Sequence, residues 1–408
     1  MTARPAVTGS WVPVPAGSPF PVQNLPYGVF ATVGDDRPRV GVAIGDSVLD
    51  LAAALRGDAE LVASLRQPSL NAFLAAGPPA WSAVRERVTD LLTDERHRAT
   101  VEPALVPAGA VRMLLPFEVA DYVDFYSSEH HATNAGRIFR AGQDLLTPNW
   151  KQLPVGYHGR AGTVVVSGTP VVRPCGQSRP RGADAPVYGP SARLDIEAEV
   201  GFVVGVPSRP GTRVPTTAWR EHVFGVVLVN DWSARDIQFW ESVPLGPFLG
   251  KSFATSVSPW VVPLAALEPA FVDPPAQQPE PLPYLRPSGP GIALDLEVRI
   301  NGHVVSRPPF ATMYWTPAQQ LAHLTVNGAS LRTGDLYASG TVSGPDPGQR
   351  GCLLELSWNG ENPVVLADGS TRTYLADGDT AAITAWATGA GGARIGLGTV
   401  AGTVEPAR

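Results

Sequence analysis

Between residues 28 and 51, Val, Ala, Ile and Leu alternate with polar side chains, and turn signals stand at Gly34-Asp35-Asp36 and Gly45-Asp46. A period of two between turns predicts short antiparallel strands. From Leu51 to Leu92 the period lengthens to helical spacing, with breaks at Pro68 and at Gly77-Pro78-Pro79. A new register opens at Leu114-Leu115-Pro116-Phe117. The chain therefore divides into a small β-plus-helix unit over residues 1–115 and a larger unit over 116–408. In the larger unit, β-branched runs at 162–173, 292–300, 381–388 and 394–404 predict strands. Asp273 to Pro283 carries too many prolines to join a ladder and is expected as an extended surface excursion. The pattern is that of a mainly β, α+β protein.

One strand carries more than packing information. In the run Leu194 to Gly205, Leu194, Ile196, Ala198, Val200 and Phe202 fall on one face, and Asp195, Glu197 and Glu199 fall on the other. That acidic row reads either as a solvated strand face or as ligands of a cation, since no Lys or Arg alternates with it. Asp231 ends the apolar run Phe224 to Val229 and precedes a helical segment, where it is either an N-cap or a further ligand. Arg235 and Gln238 lie three apart and share one helix face. Upstream, Asp124, Tyr126, His130 and His131 crowd one short stretch, which lifts His131 above the other six histidines. Carboxylates suit Mg²⁺ or Ca²⁺, and a neighbouring histidine can activate water.

Several tempting motifs fail. Gly246-Pro247-Phe248-Leu249-Gly250-Lys251-Ser252 is one residue short of a P-loop and puts a proline where amides should cradle phosphate. Gly396 to Gly402 lacks dinucleotide spacing, and no Gly-x-Ser-x-Gly elbow occurs, so neither a nucleotide cofactor nor serine-hydrolase chemistry has an anchor.

Composition narrows the class. Hydrophobic residues make up 44% of 408, enough for a sizeable core. Glycine and proline, 42 each, stay below the roughly 25–30% of low-complexity chains and act as turn punctuation. A net charge of -6 gives no footprint for nucleic acid or an acidic membrane. Cys175 and Cys352 form no disulfide framework and have no zinc spacing, which fits small buried thiols in a reducing compartment. Met1 to Ser10 lacks the apolar core of a signal peptide, and no apolar run could span a bilayer, so a cytoplasmic protein is expected.

Taken together, several ordered motifs closely resemble the fumarylacetoacetate hydrolase family. They are Asp121 to Ser128, Thr147-Pro148-Asn149-Trp150, Leu153 to Arg160, Asn230 to Gln238, Pro244 to Phe253, Ala338 to Pro345 and Leu354 to Trp358. The resemblance, which runs to about residue 400, implies an SH3-like N-terminal domain, a mixed β-roll catalytic domain and a homodimer. It implies hydrolysis of a C–C bond in 4-fumarylacetoacetate, at the end of tyrosine and phenylalanine breakdown. By position, it implies that Asp124, Glu197, Glu199 and Asp231 hold a divalent metal, Mg²⁺ or Ca²⁺. His131 matches the general base and Glu355 the carboxylate that orients it; Arg235, Gln238 and Lys251 match the groups around the oxyanion. Tyr126, Arg140, Tyr157, Gln238 and Thr341 match substrate contacts. Asp231, Lys251 and Thr255 match a second, weaker ion site. One position departs: the family's tyrosine in Trp-Glu-Tyr-Val-Pro is Ser242 here. A related acylpyruvate or β-keto acid hydrolase or decarboxylase is the nearest alternative, and a silent, cation-stabilised binding protein the more distant one.

Overall fold

The alternation at 28–51 becomes three antiparallel strands, Tyr27–Thr32, Asp35–Ile44 and Ser47–Asp50, turning at the expected places. The computed structural model describes residues 9–56, 59–140, 142–180 and 182–408, so Met1 to Thr8 of the opening stretch lie outside the described residues. Gly77-Pro78-Pro79 opens the helix Gly77–Thr93, with proline in its first turn, where no intrahelical N–H partner is needed.

Among the described residues the larger sheet has thirteen strands. Its central order is Tyr27–Thr32, Trp260–Pro263, Val223–Asp231, Ala198–Val204, Leu336–Ala338 and Tyr122–Phe125. The first of these strands lies within residues 1–115, and it pairs with Trp260–Pro263 through Tyr27↔Val261 and Gly28↔Trp260. Gly28 is dictated by that approach, because a Cβ there would lie 2.7 Å from the Trp260 ring. On the same side of the boundary, Tyr27, Phe73 and Trp81 surround Phe224 from the Val223–Asp231 strand, with ring centroids 5.2 to 5.5 Å apart. Such edge-on aromatic pairs stabilise by about 0.5–1.5 kcal/mol each beyond area burial.

The run 162–173 is two strands rather than one. Val164–Val166 pairs in parallel with Thr255–Val257 of the large sheet, the chain turns at Gly168 (φ 89°), and Val171–Val172 joins a five-stranded sheet. That second sheet also contains Asp295–Ile300, Thr380–Thr388 and Arg394–Glu405, at or near the predicted limits. The proline-rich excursion has no ladder, as expected. No helix among the described residues is long and apolar enough to cross a membrane.

The acidic strand is broken. Leu194–Asp195 pairs with Ser233–Ala234, and Ala198–Val204 pairs with Val223–Asp231, leaving Ile196 and Glu197 at the break. Its apolar face is core, with Phe202 stacked on Tyr337 at 5.1 Å. Its acidic face is not solvated: Asp195 and Glu199 are 0% exposed and Glu197 is 5% exposed. A second layer of chain covers that face, and the site lies there.

Candidate active site

Four adjacent strands bring the acidic side chains together. Asp124 stands near the end of Tyr122–Phe125, opposite Ala338, and Glu199 opposite Val229. One oxygen each of Asp124, Glu197 and Glu199 falls within 4.8 Å of the others. Asp124 Oδ1 and both Glu199 oxygens are buried without a hydrogen-bond partner. Burial, and then the charge of Asp231, pushes Asp124 well above the usual carboxylate range; burial, Asp124 and Glu197 do the same to Glu199. Unpartnered buried carboxylates are costly, and oxygen-only ligands at this spacing fit a hard divalent cation.

Asp231 is the fourth carboxylate, and it is not a helix cap. The helix Arg235–Glu241 starts after Ala234, with no side-chain cap. Asp231 instead accepts from Thr255 Oγ1 at 2.7 Å, Lys251 Nζ at 2.8 Å and the Tyr157 hydroxyl at 3.1 Å. Asp231, Lys251 and Thr255 are thus joined directly by hydrogen bonds. Lys251 also donates to Glu197, whose other oxygen is 2.7 Å from Arg235 Nη1. Burial opposes the charge of Glu197, but Lys251 and Arg235 overcome it and hold the carboxyl below its usual range. Burial likewise opposes the ammonium of Lys251, and Asp231 with Glu197 raises its pKa regardless.

Asp195, grouped with Glu197 and Glu199 by alternation, has a separate role. It accepts from Arg235 Nε at 2.9 Å and from the N–H groups of Leu353 and Leu354 at 2.7 and 2.9 Å. It therefore fastens Arg235 to the short helix Leu353–Leu356, which carries Glu355. With Asp195 counted, five carboxylates face Arg235 and Lys251; a divalent ion would leave one negative charge, which the backbone N–H donors to Asp195 would meet.

The histidine is built in from its helix. Ser128 caps Glu129–Phe139, its Oγ accepting from the His131 N–H at 3.2 Å, which sets where the first turn begins. His131 Nδ1 lies 2.6 Å from Glu355 Oε2, and both residues are buried. The Tyr126 ring meets the imidazole edge-on at 5.2 Å.

These groups open onto one cavity of about 510 Å³, lined by Asp124, His131, Glu197, Arg235, Gln238 and Lys251. Tyr126, Arg140, Tyr157 and Thr341 line it too, as does Ser242. Arg140 Nε, Arg235 Nη2 and Thr341 Oγ1 are buried there without partners. Glu355 supports His131 from behind the wall. The sequence reading passed over Asn134 and Ser343, which bond Glu355 at 2.8 Å each. Asn134 stands three residues beyond His131 and could have been found by helical spacing; Ser343 carried no local signal.

The arrangement offers a carboxylate cradle, a base with an orienting carboxylate, and three donors across one cavity. Two family profiles match the chain: "Fumarylacetoacetase N-terminal" over residues 23–116 and "Fumarylacetoacetate (FAA) hydrolase C-terminal" over 122–405. Among curated proteins, the fumarylacetoacetases of Bos taurus and Homo sapiens are each 50% identical over 98% of this chain and 99% of their own. That of Caenorhabditis elegans is also 50% identical, with the same coverage. A solved fumarylacetoacetate hydrolase from Exiguobacterium antarcticum is 19% identical and covers 94% of this chain and 100% of its own, with a TM-score of 0.56. A maleylpyruvate hydrolase from Sphingobium has a TM-score of 0.52 at 16% identity, with the same coverage. Those two structures show a shared fold.

Proposed function

The chain belongs to the fumarylacetoacetase family, and from that premise we propose that it hydrolyses 4-fumarylacetoacetate to fumarate and acetoacetate. The observation that carries the reading is His131, backed by Glu355, lining the same cavity as Asp124 and Glu197 of the carboxylate cradle. Asp124, Glu197 and Glu199, with Asp231 adjoining, would hold a divalent ion. Mg²⁺ or Ca²⁺ suits this all-oxygen set. When bound, that ion supplies Lewis-acid polarisation of substrate oxygens.

In this mechanism His131 takes the proton of an attacking water through Nε2. Glu355 holds the proton on Nδ1 and stabilises the imidazolium that forms. The water oxygen bonds to the acyl carbon, the C–C bond breaks, and the departing carbon gains a proton. Arg235 Nη2 is an unused donor available to the oxyanion. Lys251 has a third N–H beyond the two engaged, and the Gln238 carbonyl is occupied by Arg235, so its NH₂ is the free end. The unpartnered Arg140 Nε and Thr341 Oγ1, with Tyr126 and Tyr157, supply substrate contacts.

Residues 1–115 are assigned to the SH3-like domain and 116–408 to the catalytic β-roll domain; the spans of the two family matches support this division. A cytoplasmic homodimer completes the reading. The free thiols support a reducing compartment, and the dimer would be checked by light scattering.

Ser242 favours one alternative, hydrolysis of an acylpyruvate on the same scaffold. An absorbance assay on both substrates, with and without chelator, separates the two. Fumarate and acetoacetate formed only with the ion support the proposal, and turnover of the acylpyruvate alone replaces it. His131→Ala should abolish turnover and leave the calorimetric affinity for Mg²⁺ unchanged.

A further inference from the structure

Glu355 has more partners than the orientation of one imidazole requires. Its Oε2 lies 2.6 Å from His131 Nδ1, 2.8 Å from Ser343 Oγ and 3.2 Å from Cys352 Sγ. Its Oε1 accepts from Asn134 Nδ2 at 2.8 Å. All four donors are buried, and Glu355 is 0% exposed. An ionised carboxylate accepts at about four sites, and four donors hold this one, three of them on Oε2.

The donors come from three segments. Asn134 stands three residues beyond His131 on the helix Glu129–Phe139, and Cys352 precedes the helix Leu353–Leu356. Ser343 lies on the loop after Ala338, which also carries Thr341 into the cavity. Ser343 closes the loop on both sides. Its Oγ accepts from the Gly351 N–H at 3.1 Å, and its carbonyl accepts from Ser128 Oγ, the cap of the His131 helix, also at 3.1 Å.

Those four donors have a chemical consequence: the carboxylate cannot rotate, and Oε2 cannot take the imidazole proton, without breaking a hydrogen bond. The imidazole must then keep its hydrogen on Nδ1, which leaves Nε2 as the lone pair. Packing alone needs neither the amide of Asn134 nor the hydroxyl of Ser343.

We infer that Asn134 and Ser343 are positioning residues for the reaction, acting through Glu355 to fix the tautomer and aim of His131, with Cys352 a weaker third donor. The inference rests on reading His131 as the base.

The test uses the full chain loaded with Mg²⁺ and four variants: Asn134→Ala, Asn134→Asp, Ser343→Ala and Ser343→Cys. Asn134→Asp keeps the shape but loses the donor; Ser343→Cys keeps a weak donor. Losing one hydrogen bond to a charged group should lower kcat about tenfold to a hundredfold in the two alanine variants and in Asn134→Asp. KM and the calorimetric affinity for Mg²⁺ should stay within about twofold, and Ser343→Cys should retain more kcat than Ser343→Ala. The downfield proton resonance of His131 Nδ1–H, assigned by its loss in His131→Ala, should move or broaden in each alanine variant. A kcat for Asn134→Asp equal to wild type would overturn the inference. So would a resonance unmoved in both alanine variants, or losses of kcat matched by equal losses of Mg²⁺ affinity. If the wild-type protein turns over no 1,3-diketo acid, the functional reading fails, and the resonance still decides whether these two residues govern the imidazole.

Discussion

Nζ of Lys251 lies 2.8 Å from Oδ2 of Asp231, and the same ammonium donates to Glu197. One buried cation therefore spans two of the carboxylates of the proposed ion site, and removing it leaves both short of positive charge. Lys251→Met should destabilise the metal-free protein by about 3–5 kcal/mol, the usual cost of breaking a buried pair. Urea denaturation in chelator measures this, and added Mg²⁺ should recover part of it. The loss of one oxyanion donor should lower kcat roughly 10²–10³-fold.

Asp195 is predicted to matter for architecture before chemistry. Its carboxylate joins Arg235 to the N–H groups of Leu353 and Leu354. The Ile196 N–H donates to it as well, and in Asp195→Asn an amide cannot serve all four donors, so the urea midpoint should fall, with a loss of about 1–3 kcal/mol for the unsatisfied groups. Mg²⁺ affinity, measured by calorimetry, should change little.

Glu355 gives a pH signature. Burial opposes its ionisation, but His131 and the hydrogen bonds from His131, Asn134 and Ser343 lower its pKa from 4.5 to about 2. Because the folded value is the lower one, the unfolded chain binds the extra proton. The stabilisation is therefore complete above about pH 4.5 and is lost as pH falls towards 2. Denaturation at pH 5 and pH 3 should show a steep loss in wild type and a shallower one in Glu355→Gln. At neutral pH the same variant should lose roughly 10³–10⁴-fold in kcat, because a neutral amide cannot stabilise the imidazolium.

Ser242 lines the cavity while its hydroxyl donates back to the Gln238 backbone carbonyl at 2.5 Å. Ser242→Tyr would restore a phenol at the cavity wall. A hydrogen bond to a charged substrate group contributes about 1.5–3 kcal/mol, so KM for the diketo acid should fall about tenfold or more, with kcat nearly unchanged. Steady-state kinetics on the single variant checks it.

Local periodicity carried the reading as far as local forces act. The strands at 28–51 follow from alternation and turn residues, and those at 292–300, 381–388 and 394–404 from β-branched runs. Alternation also splits 194–202 into apolar and acidic faces. Periodicity could not say that the acidic face is buried, because what covers it lies far along the chain: Leu353 and Leu354 are about 158 positions from Asp195. Asp231 looked like a cap for the same reason, since its partners Lys251 and Thr255 lie 20 and 24 positions away. The split of 162–173 turned on Gly168, whose positive φ sends the two halves to different sheets. His131 and Glu355, 224 positions apart, were joined by family resemblance, which no spacing argument could replace.

The pairing of Tyr27 and Gly28 with Trp260 and Val261 makes the first hundred residues an edge cap for the sheet. Without it, the Trp260–Pro263 strand would present bare N–H and C=O groups beside an uncovered Phe224, a template for other chains to add to. A fragment starting near residue 116 would carry every proposed catalytic group and still expose that edge. Damage to the N-terminal strands would thus emerge as aggregation, with the chemistry untouched.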